Sequence, residues 1–371
     1  MAQPESALAR DNDINPPDAA GIAPRPAPAR VIVNADDFGL ALCVNRGIER
    51  ARRDGILTSA SLIVNMPGFD DAAARAKALP GLGVGVHLNL VRGRPISPAS
   101  DVPDLVDRRG FFAPGRIFPI LGSRRPAARS SDAAMRIARQ ILTEYGAQIA
   151  KARAAGLAPT HVDFEQHHGR YGAAYRCAVL AAGRVGIGAI RSLKEPCWWA
   201  WRHGGWPGFR AALRAGLLRC AMTGKGRQPG AKTLGEAERA PAEPGLPTLI
   251  HPDYFLGQSW IGAMGANVWR RLLSTPRWPE GVWEVMTHPG EYDSAELSSL
   301  AGEIGASWMH PRRPAELAGL VDPGVVAAAR DAAAAGRLQF IHFGQLTAAG
   351  NLRDGFPNRA GPISKPPPSV H

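Results

Sequence analysis

The sequence predicts an α/β fold in which parallel strands form an irregular TIM-like (β/α) barrel. Short β-branched runs alternate with Ala- and Arg-rich helical patterns along most of the 371 residues, which is typical of repeated βα units. Roughly seven or eight such units follow one another, and a barrel of eight units takes roughly 250 residues. An open, doubly wound sheet is the alternative architecture.

The individual elements support this prediction in order. The run VIVNA at 31–35 indicates a buried strand because it is apolar and β-branched, and the Ala-rich stretch 133–155 indicates a strong helix. The other predicted strands cover 59–65, 83–90, 160–166, 188–192, 248–252, 282–289 and 338–343. The other predicted helices cover 44–53, 70–78, 173–185, 266–273, 315–320 and 324–334.

The two ends of the chain predict tails. Residues 1–30 and 347–371 are Pro-rich, and we expect both to be disordered, which leaves a single barrel domain over 31–346. The first tail has no continuous apolar segment that could form the core of a signal peptide, and no apolar run is long enough to span a membrane. We therefore expect a cytoplasmic protein. The four cysteines are widely spaced, without CxxC pairs, which agrees with a reducing compartment.

Two insertions interrupt the barrel pattern. Residues 92–131 are rich in Pro and Gly, whereas residues 195–246 accumulate Arg, Lys and Trp. Between Phe209 and Cys220 apolar residues recur at helical spacing, with arginines on the other faces. Packing against the barrel is one explanation of this helix. Peripheral contact with the anionic inner face of a membrane is the other, because Trp and Arg without balancing acids are typical of interfacial helices.

The charge of the chain favours an anionic partner. Lys and Arg exceed Asp and Glu to give a net charge of +12, with a sequence pI near 10.2. Nucleic-acid binding is one hypothesis that this charge raises. No recognisable nucleic-acid-binding module accompanies the charge, so we expect no specific nucleic-acid partner.

Acids and histidines recur at the ends of the predicted strands. Asp36 and Asp37 follow the first strand, His87 lies in the third, and His288 ends the seventh. Each alone has an ordinary explanation, such as a helix cap, a core histidine or the start of a loop. Because the carboxyl ends of parallel strands meet at one edge, their repetition predicts a shared metal or acid–base site.

The fourth predicted strand adds a more specific pattern. Residues alternate faces along a strand, so His161, Asp163, Glu165 and His167 are expected on one side. Burying these groups without partners would cost about 1 to 3 kcal/mol each. A bound cation removes that cost, and a mixed carboxylate and imidazole set suits Mg²⁺, Mn²⁺ or Zn²⁺.

Five segments in order resemble the YdjC-like carbohydrate deacetylase family, also described as ChbG/HpnK-type deacetylases. They are VIVNADDFGLALCVNRGI, GILTSASLIVNMPGF, LPGLGVGVHLNLVRGRP, APTHVDFEQHH and VWEVMTHPGEYD, and they lie between about 31 and 346. A further segment, DYFLGQSWIGAM, is similar to the branch linked to hopanoid lipid synthesis. The resemblance implies an irregular TIM-like barrel that uses one divalent metal ion, Mg²⁺ or Zn²⁺, to hydrolyse the N-acetyl group of an amino sugar.

The resemblance also implies roles for individual residues. Asp36 is the general base, Asp37 and His87 are metal ligands, and His288 is the general acid. The fourth segment departs from the family pattern, since Phe164 replaces a small residue and Glu165 stands where a metal-binding His is usual. We expect Glu165 and His167 to complete the metal site, because Glu can ligate either metal.

The substrate expected from the resemblance is an N-acetylated amino sugar, either a chito-oligosaccharide or a lipid-linked glycan such as a glycosylated hopanoid. The basic insertion is the reason to consider the lipid. The alternative hypothesis is a catalytically altered relative that binds glycan or lipid, because the change at Glu165 affects the metal site itself.

Overall fold

The computed structural model describes residues 27–122, 131–196, 248–304 and 312–346. The predicted tails lie outside this part of the chain except for residues 27–30. Most of the basic insertion with its amphipathic helix also lies outside it. Ala29 and Arg30, predicted to belong to the first tail, already form the start of the first strand.

Seven parallel strands form one sheet within the described residues. Six of them follow the order β4-β3-β2-β1-β6-β5. The seventh, β7, pairs with the first residues of β1, and β2 pairs with the later residues of β1. The strands are β1 (Ala29–Phe38), β2 (Ser59–Leu62), β3 (Gly83–Leu88), β4 (Val162–Phe164), β5 (Tyr254–Leu256), β6 (Val282–Thr287) and β7 (Leu338–Phe340).

Helices follow most of these strands, as the βα pattern predicts. In chain order they are α1 (Leu42–Asp54), α2 (Phe69–Lys77), α3 (Pro114–Leu121), α4 (Asp132–Ala154), α5 (Gly172–Gly183), α6 (Ala266–Leu273), α7 (Ser294–Ile304), α8 (Arg313–Val321) and α9 (Pro323–Ala334). The sequence analysis did not predict α3, which lies in the first insertion, or α7.

The predicted barrel is confirmed as a curled parallel half-barrel and not as a closed barrel. Between β4 and β5 the pairing is reduced to single bridges, Val162 with Ile190 and Ala189 with Ile250. The strands predicted at 188–192 and 248–252 are therefore not regular ladders. Pro252 gives one reason, since a proline has no N–H group to donate to a neighbouring strand.

Alternation along the strands separates an outer apolar face from an inner face. Val31 and Val33 of β1 pack outward in the main hydrophobic core, whereas Ile32 belongs to a small inner cluster with Val282 and Phe343. Further along β1, the residues of the inner face are Asn34 and Asp36, and both are buried. The interior is thus apolar at its base and polar toward the carboxyl ends of the strands.

The backbone itself fixes the turn at the end of β1 and in the loop that follows. Asp37 has a φ of 69° and Gly39 a φ of 89°, so the chain turns through the left-handed region that Gly and Asp tolerate best. A Cβ atom at Gly39 would lie 2.8 Å from the carbonyl oxygen of Ile63. Helix α1 then begins at Leu42, where the side chain of Glu296 accepts from the N–H groups of Leu42 and Cys43.

Candidate metal and acid–base site

A buried arginine organises the polar interior. Arg191 donates from Nη1 and Nη2 to the two carboxylate oxygens of Asp36, at 2.7 and 2.6 Å. Its Nε donates to Glu284 at 2.7 Å, and Nη2 lies 2.8 Å from Asp163. One guanidinium therefore joins three carboxylates from three different strands.

Small polar residues complete this network from below. Asn34 donates to Asp36 at 2.9 Å and to the hydroxyl of Ser61 at 2.8 Å. Ser61 in turn donates to Asp163 at 2.6 Å. These contacts use inward-facing positions of β1 and β2, so the inner face of the sheet supplies the partners that the buried carboxylates require.

The ion pairs set the protonation of the carboxylates. Burial raises the pKa of Asp36, but Arg191 more than offsets this and holds the pKa well below its ordinary value. Burial likewise raises the pKa of Glu284, to about 8, because Arg191 offsets only part of the effect there. The second carboxylate oxygen of Glu284, Oε2, has no hydrogen-bond partner within the described chain.

His87 links this network to the mouth of the half-barrel. Its Nδ1 lies 2.7 Å from Asp163 and its Nε2 lies 3.1 Å from Glu165. Burial lowers the pKa of His87, but Asp163 and Asp36 raise it well above the ordinary value. An imidazole between two carboxylates holds a proton on each nitrogen, and a metal ion at Nε2 would replace one of them.

The predicted residues of the fourth segment are only partly brought together. Strand β4 ends at Phe164, and residues 165–170 form a 3₁₀ turn in which Gln166 and His167 have φ values of 49° and 52°. The predicted alternation through His167 is therefore wrong. Glu165 still contacts His87, whereas Nδ1 of His167 is buried without a partner among the described residues.

His167 nevertheless stays close to the network. Its ring meets that of Phe255 edge-to-face, with the ring centroids 5.8 Å apart. The guanidinium of Arg191 lies over the same Phe255 ring, 5.4 Å from its centroid. Burial lowers the pKa of His167 to about 3, with a further contribution from Arg191. A neutral imidazole with an unpaired nitrogen is available as a ligand or a hydrogen-bond acceptor.

Two other histidines of this segment are structural. His161 stacks on Phe343 with ring centroids 3.8 Å apart, and burial lowers its pKa to about 3. His168 lies 2.6 Å from the hydroxyl of Tyr145 and 2.6 Å from the carbonyl oxygen of Glu165. Both are therefore core histidines held by their neighbours.

Asp37 and His288 lie beside this group. Burial raises the pKa of Asp37, but the guanidinium of Arg313 and the charge of His288 bring it down to about 2. The backbone N–H of His288 donates to Glu316 at 2.6 Å. The Nδ1 atom of His288 is buried and has no hydrogen-bond partner within the described residues.

The donor set fits a divalent cation. Ligand atoms of Asp37, His87 and Glu165 all lie within 4.8 Å of one another and are buried, and the same is true of Asp36, His87 and Asp163. Two ligands at 2.1 Å in an octahedral Mg²⁺ site lie about 3.0 Å apart, close to the 3.1 Å between His87 and Glu165. Nitrogen and carboxylate oxygen donors also suit Zn²⁺.

Two carboxylates of the candidate metal site also form ion pairs with arginines, which would compete with a metal ion for them. Arg92 donates to Glu165, and Arg313 donates to Asp37. The sequence analysis assigned no role in the site to either of these arginines or to Arg191. A sequence signal for Arg191 was available, because it lies at the end of the apolar run in GAIRS. A position at the end of a predicted strand is the same criterion that identified Asp36 and Asp37. Glu284, a charge inside the buried run VWEVM, carried a similar signal.

The fold and the site together define a class: an α/β protein with parallel strands and a buried cluster of acids, histidines and arginines at the carboxyl ends of the strands. The model of the family described as YdjC-like protein matches residues 30–331. The chain therefore belongs to the YdjC-like family.

Several relatives of known name are similar over part of the chain. A carbohydrate deacetylase from Brevibacillus brevis is 43% identical over 138 residues, which are 37% of this chain and 49% of that protein. One from Geobacillus stearothermophilus is 42% identical over 140 residues, 38% of this chain and 50% of that protein. The matched region thus spans about half the length of these curated relatives.

A solved structure supports the fold. A protein from Enterococcus faecalis V583, whose given name refers to cellobiose-phosphate cleavage, superposes with a TM-score of 0.59 at 23% identity. The superposition covers 85% of this chain and 98% of that chain. None of the described helices combines the length and the hydropathy that crossing a bilayer requires.

Proposed function

We propose that this protein is a metal-dependent hydrolase that removes the N-acetyl group from an amino sugar. The observation that carries the proposal is the buried group of Asp37, His87 and Glu165, adjoining a carboxylate that Arg191 holds in the ionised form. The names of the similar carbohydrate deacetylases support the substrate class. Asp37, His87, Glu165 and His167 are the candidate metal ligands.

Asp36 is positioned to accept a proton from the attacking water. Its two-point pairing with Arg191 fixes the carboxylate in one orientation but also lowers its basicity. The water must therefore be more acidic than bulk water, and a bound divalent ion supplies this by lowering the pKa of water from 15.7 to about 7. Asp163 contacts Nδ1 of His87 and so orients the ring, and Nε2 faces Glu165, another candidate metal ligand.

His288 is the candidate general acid. In the reaction water adds to the amide carbon, the C–N bond breaks, and the departing nitrogen takes up a proton to leave as an amine. An imidazole can hold and release that proton near neutral pH. The unpaired Nδ1 of His288, beside Asp36 and Asp37, supports this role.

The test is the release of acetate from N-acetylglucosamine oligomers, measured together with metal content. Asp36→Asn should reduce acetate release at least about 100-fold, the range of general acid–base catalysis, at an unchanged metal content. His87→Ala should lose the metal itself. Near wild-type turnover by Asp36→Asn would refute the assignment of the base.

A second candidate function is supported by the arginines. Arg92 and Arg313 already neutralise Glu165 and Asp37, so a relative that binds glycan or lipid without a metal is chemically reasonable. The same metal measurement separates the two functions. Uptake of about one divalent ion per chain supports the hydrolase, and no uptake of Mg²⁺, Mn²⁺, Zn²⁺ or Co²⁺ supports the binding protein.

The finer expectations stay predictions. A lipid-linked glycan, such as a hopanoid, and peripheral contact with an anionic membrane rest on the basic, Trp-rich insertion, which lies outside the described residues. Sedimentation of the purified chain with vesicles that contain anionic lipid tests this part. Binding that depends on vesicle charge supports it, and equal binding to neutral vesicles contradicts it.

A further inference from the structure

Arg313 is a buried arginine with hydrogen-bond donors to spare. It lies in the first turn of α8, and its side chain is 3% exposed. Nη2 donates to Asp37, but Nε and Nη1 have no hydrogen-bond partner within the described residues. These two nitrogens carry three of the five N–H donors of the guanidinium.

The contrast with Arg191 shows how unusual this is within the site. Arg191 places all three of its nitrogens on carboxylates. A buried cation with unsatisfied donors is costly unless a partner reaches it, because both the charge and the N–H groups have lost their water. The unpaired side of Arg313 is therefore where a polar ligand would gain most.

The side chain is also held in place. A Cβ atom at Gly290 would lie 3.2 Å from Cδ of Arg313, so the loop after His288 packs directly on the arginine stem. One turn further along α8, Glu316 accepts from the backbone N–H groups of His288 and Gly262. The helix and the loop thus form one support, and the free donors are preorganised.

The chemistry of the position indicates an oxygen anion as the ligand. A guanidinium binds carboxylates and oxyanions more strongly than neutral groups. Asp37 is a candidate metal ligand, so a bound cation would share its negative charge with Arg313 and leave the arginine side of the site positive. His288, the candidate acid, is close enough to lower the pKa of Asp37.

We propose that Arg313 binds the acyl oxygen of the substrate and, after hydrolysis, the carboxylate of the released acetate. The inference rests on the proposed deacetylase function. When water adds to the amide carbon, the carbonyl oxygen gains negative charge, and it stays on carbon as one oxygen of acetate when the C–N bond breaks. Arg313 thus holds the same oxygen atom through addition and release.

Acetate binding tests the inference without turnover. Binding of ¹³C-acetate to the purified, metal-loaded chain is measured by NMR for the wild type, for Arg313→Lys and for Arg270→Lys. The control residue Arg270 also pairs with an aspartate, Asp322, but is 48% exposed. Lysine keeps the positive charge beside Asp37 and removes Nε and Nη1.

Arg313→Lys should weaken acetate binding at least about tenfold, as expected for a lost hydrogen bond to a charged group. Arg270→Lys should leave it within twofold of the wild type, by the small effect of exposed pairs. Equal acetate affinity in Arg313→Lys and the wild type overturns the proposal. So does a loss of acetate binding that is matched by an equal loss of metal, since the effect would then run through Asp37.

The kinetic readout separates a role in the reaction from a structural one. Arg313→Ala should lower kcat about 100-fold or more with a smaller change in KM, and added guanidinium chloride should restore part of the rate. No rescue by guanidinium overturns the proposed role. If the wild type hydrolyses no N-acetylated sugar, the proposed function fails, and acetate binding still decides whether Arg313 forms an anion site.

A further measurement uses only the wild type, so that the proposal can be tested even if the variants do not fold. Acetate at saturating concentration should raise the Tm of the wild-type chain more than chloride at equal ionic strength, because a ligand that binds only the folded state stabilises it. An equal Tm in acetate and chloride overturns the proposal.

Discussion

Single residues of the polar interior depend on one another through Arg191. Asp36, Asp163 and Glu284 share its guanidinium, so no carboxylate of this group is independent of the arginine. The arrangement satisfies Nε, Nη1 and Nη2 at once, with distances between 2.6 and 2.8 Å. Replacement of the cation therefore changes the charge of the whole group.

Arg191→Met should lower the free energy of unfolding by about 3 to 5 kcal/mol, the usual cost of removing one partner from a buried ion pair. The measurement is urea denaturation at pH 7. Arg270→Met, at an exposed pair with Asp322, is the control and should cost under about 1 kcal/mol. Equal effects of the two changes would contradict a central role for Arg191.

At the scale of elements, the end of β4 determines which side chains reach the site. The strand stops at Phe164, and the 3₁₀ turn that follows sends Glu165 toward His87 and Arg92. His167 has left-handed backbone geometry and leaves the register of the strand. The turn, and not strand alternation, therefore sets the distance of each residue from the candidate metal ligands.

This geometry predicts different effects for the two residues. Glu165→Ala should weaken metal affinity by removing one ligand, and Glu165→His should keep a metal but shift the preference toward Zn²⁺, since imidazole is the softer ligand. Calorimetric titration with Mg²⁺ and Zn²⁺ measures both. If His167→Ala loses affinity and Glu165→Ala does not, His167 is the true ligand. If neither change has an effect, the fourth segment does not bind the metal.

The loop after β1 is a second element on which the site depends. Gly39→Ala should destabilise the fold by more than about 2 kcal/mol, because the new methyl group combines a positive φ with a contact 2.8 Å from a backbone oxygen. Gly186→Ala is the matched control. Gly186 also has a positive φ, of 75°, but no atom lies within 4 Å of the added Cβ.

Thermal unfolding and urea titration of both variants separate backbone strain from the steric contact. The control should cost about 1 kcal/mol from strain alone. A loss in Gly39→Ala no larger than the loss in Gly186→Ala would show that the contact with Ile63 is readily relieved.

At the scale of the whole molecule, the free energy of unfolding should depend on pH, because buried groups of the interior have shifted pKa values. The pKa of Glu284 is about 8 in the folded protein, above the ordinary value of 4.5, so the folded state binds a proton that the unfolded state has lost. The stabilising contribution is complete below about pH 4.5 and disappears as the pH rises through 8. Stability of the metal-free wild type should therefore fall between pH 7 and 8, where histidines of lowered pKa, such as His161 and His167, are mostly neutral in both the folded and the unfolded state.

Glu284→Gln removes this titration and keeps the size of the side chain. The wild type should lose free energy of unfolding relative to this variant as the pH rises from 5 to 8, measured by urea denaturation in the presence of chelator. His87, whose pKa is raised, adds a decline above about pH 6.5, whereas His161 and His167, whose pKa values are lowered, add a rise below it. Both contributions are present in the variant as well and cancel in the comparison. Parallel curves for the variant and the wild type would contradict a neutral Glu284 at pH 5.

Most of the strands and helices follow from local pattern. The strands at β1, β2, β3 and β6 were predictable because apolar, β-branched runs have few alternatives in a buried sheet. The strands predicted at 188–192 and 248–252 became single bridges, because a ladder requires a continuous partner that the sequence does not display. The left-handed turn at Gln166 and His167 carries no glycine signal, so the end of β4 was not predictable.

The sequence by itself determined the fold class, the family and the location of the candidate site. Parallel strands bring their carboxyl ends to one edge, so Asp36, Asp37 and His87 had to lie near one another once the strands were identified. This inference needs only the order of elements along the chain.

Only the tertiary structure decided which cation each carboxylate meets. Arg191 lies 155 positions from Asp36, Arg92 lies 73 from Glu165, and Arg313 lies 276 from Asp37. The pairing itself leaves no trace in the local pattern, because an apolar run such as that before Arg191 can indicate that an arginine is buried but not which carboxylate it meets. Burial in the folded half-barrel removes water from these charged groups, so each of them needs an oppositely charged partner.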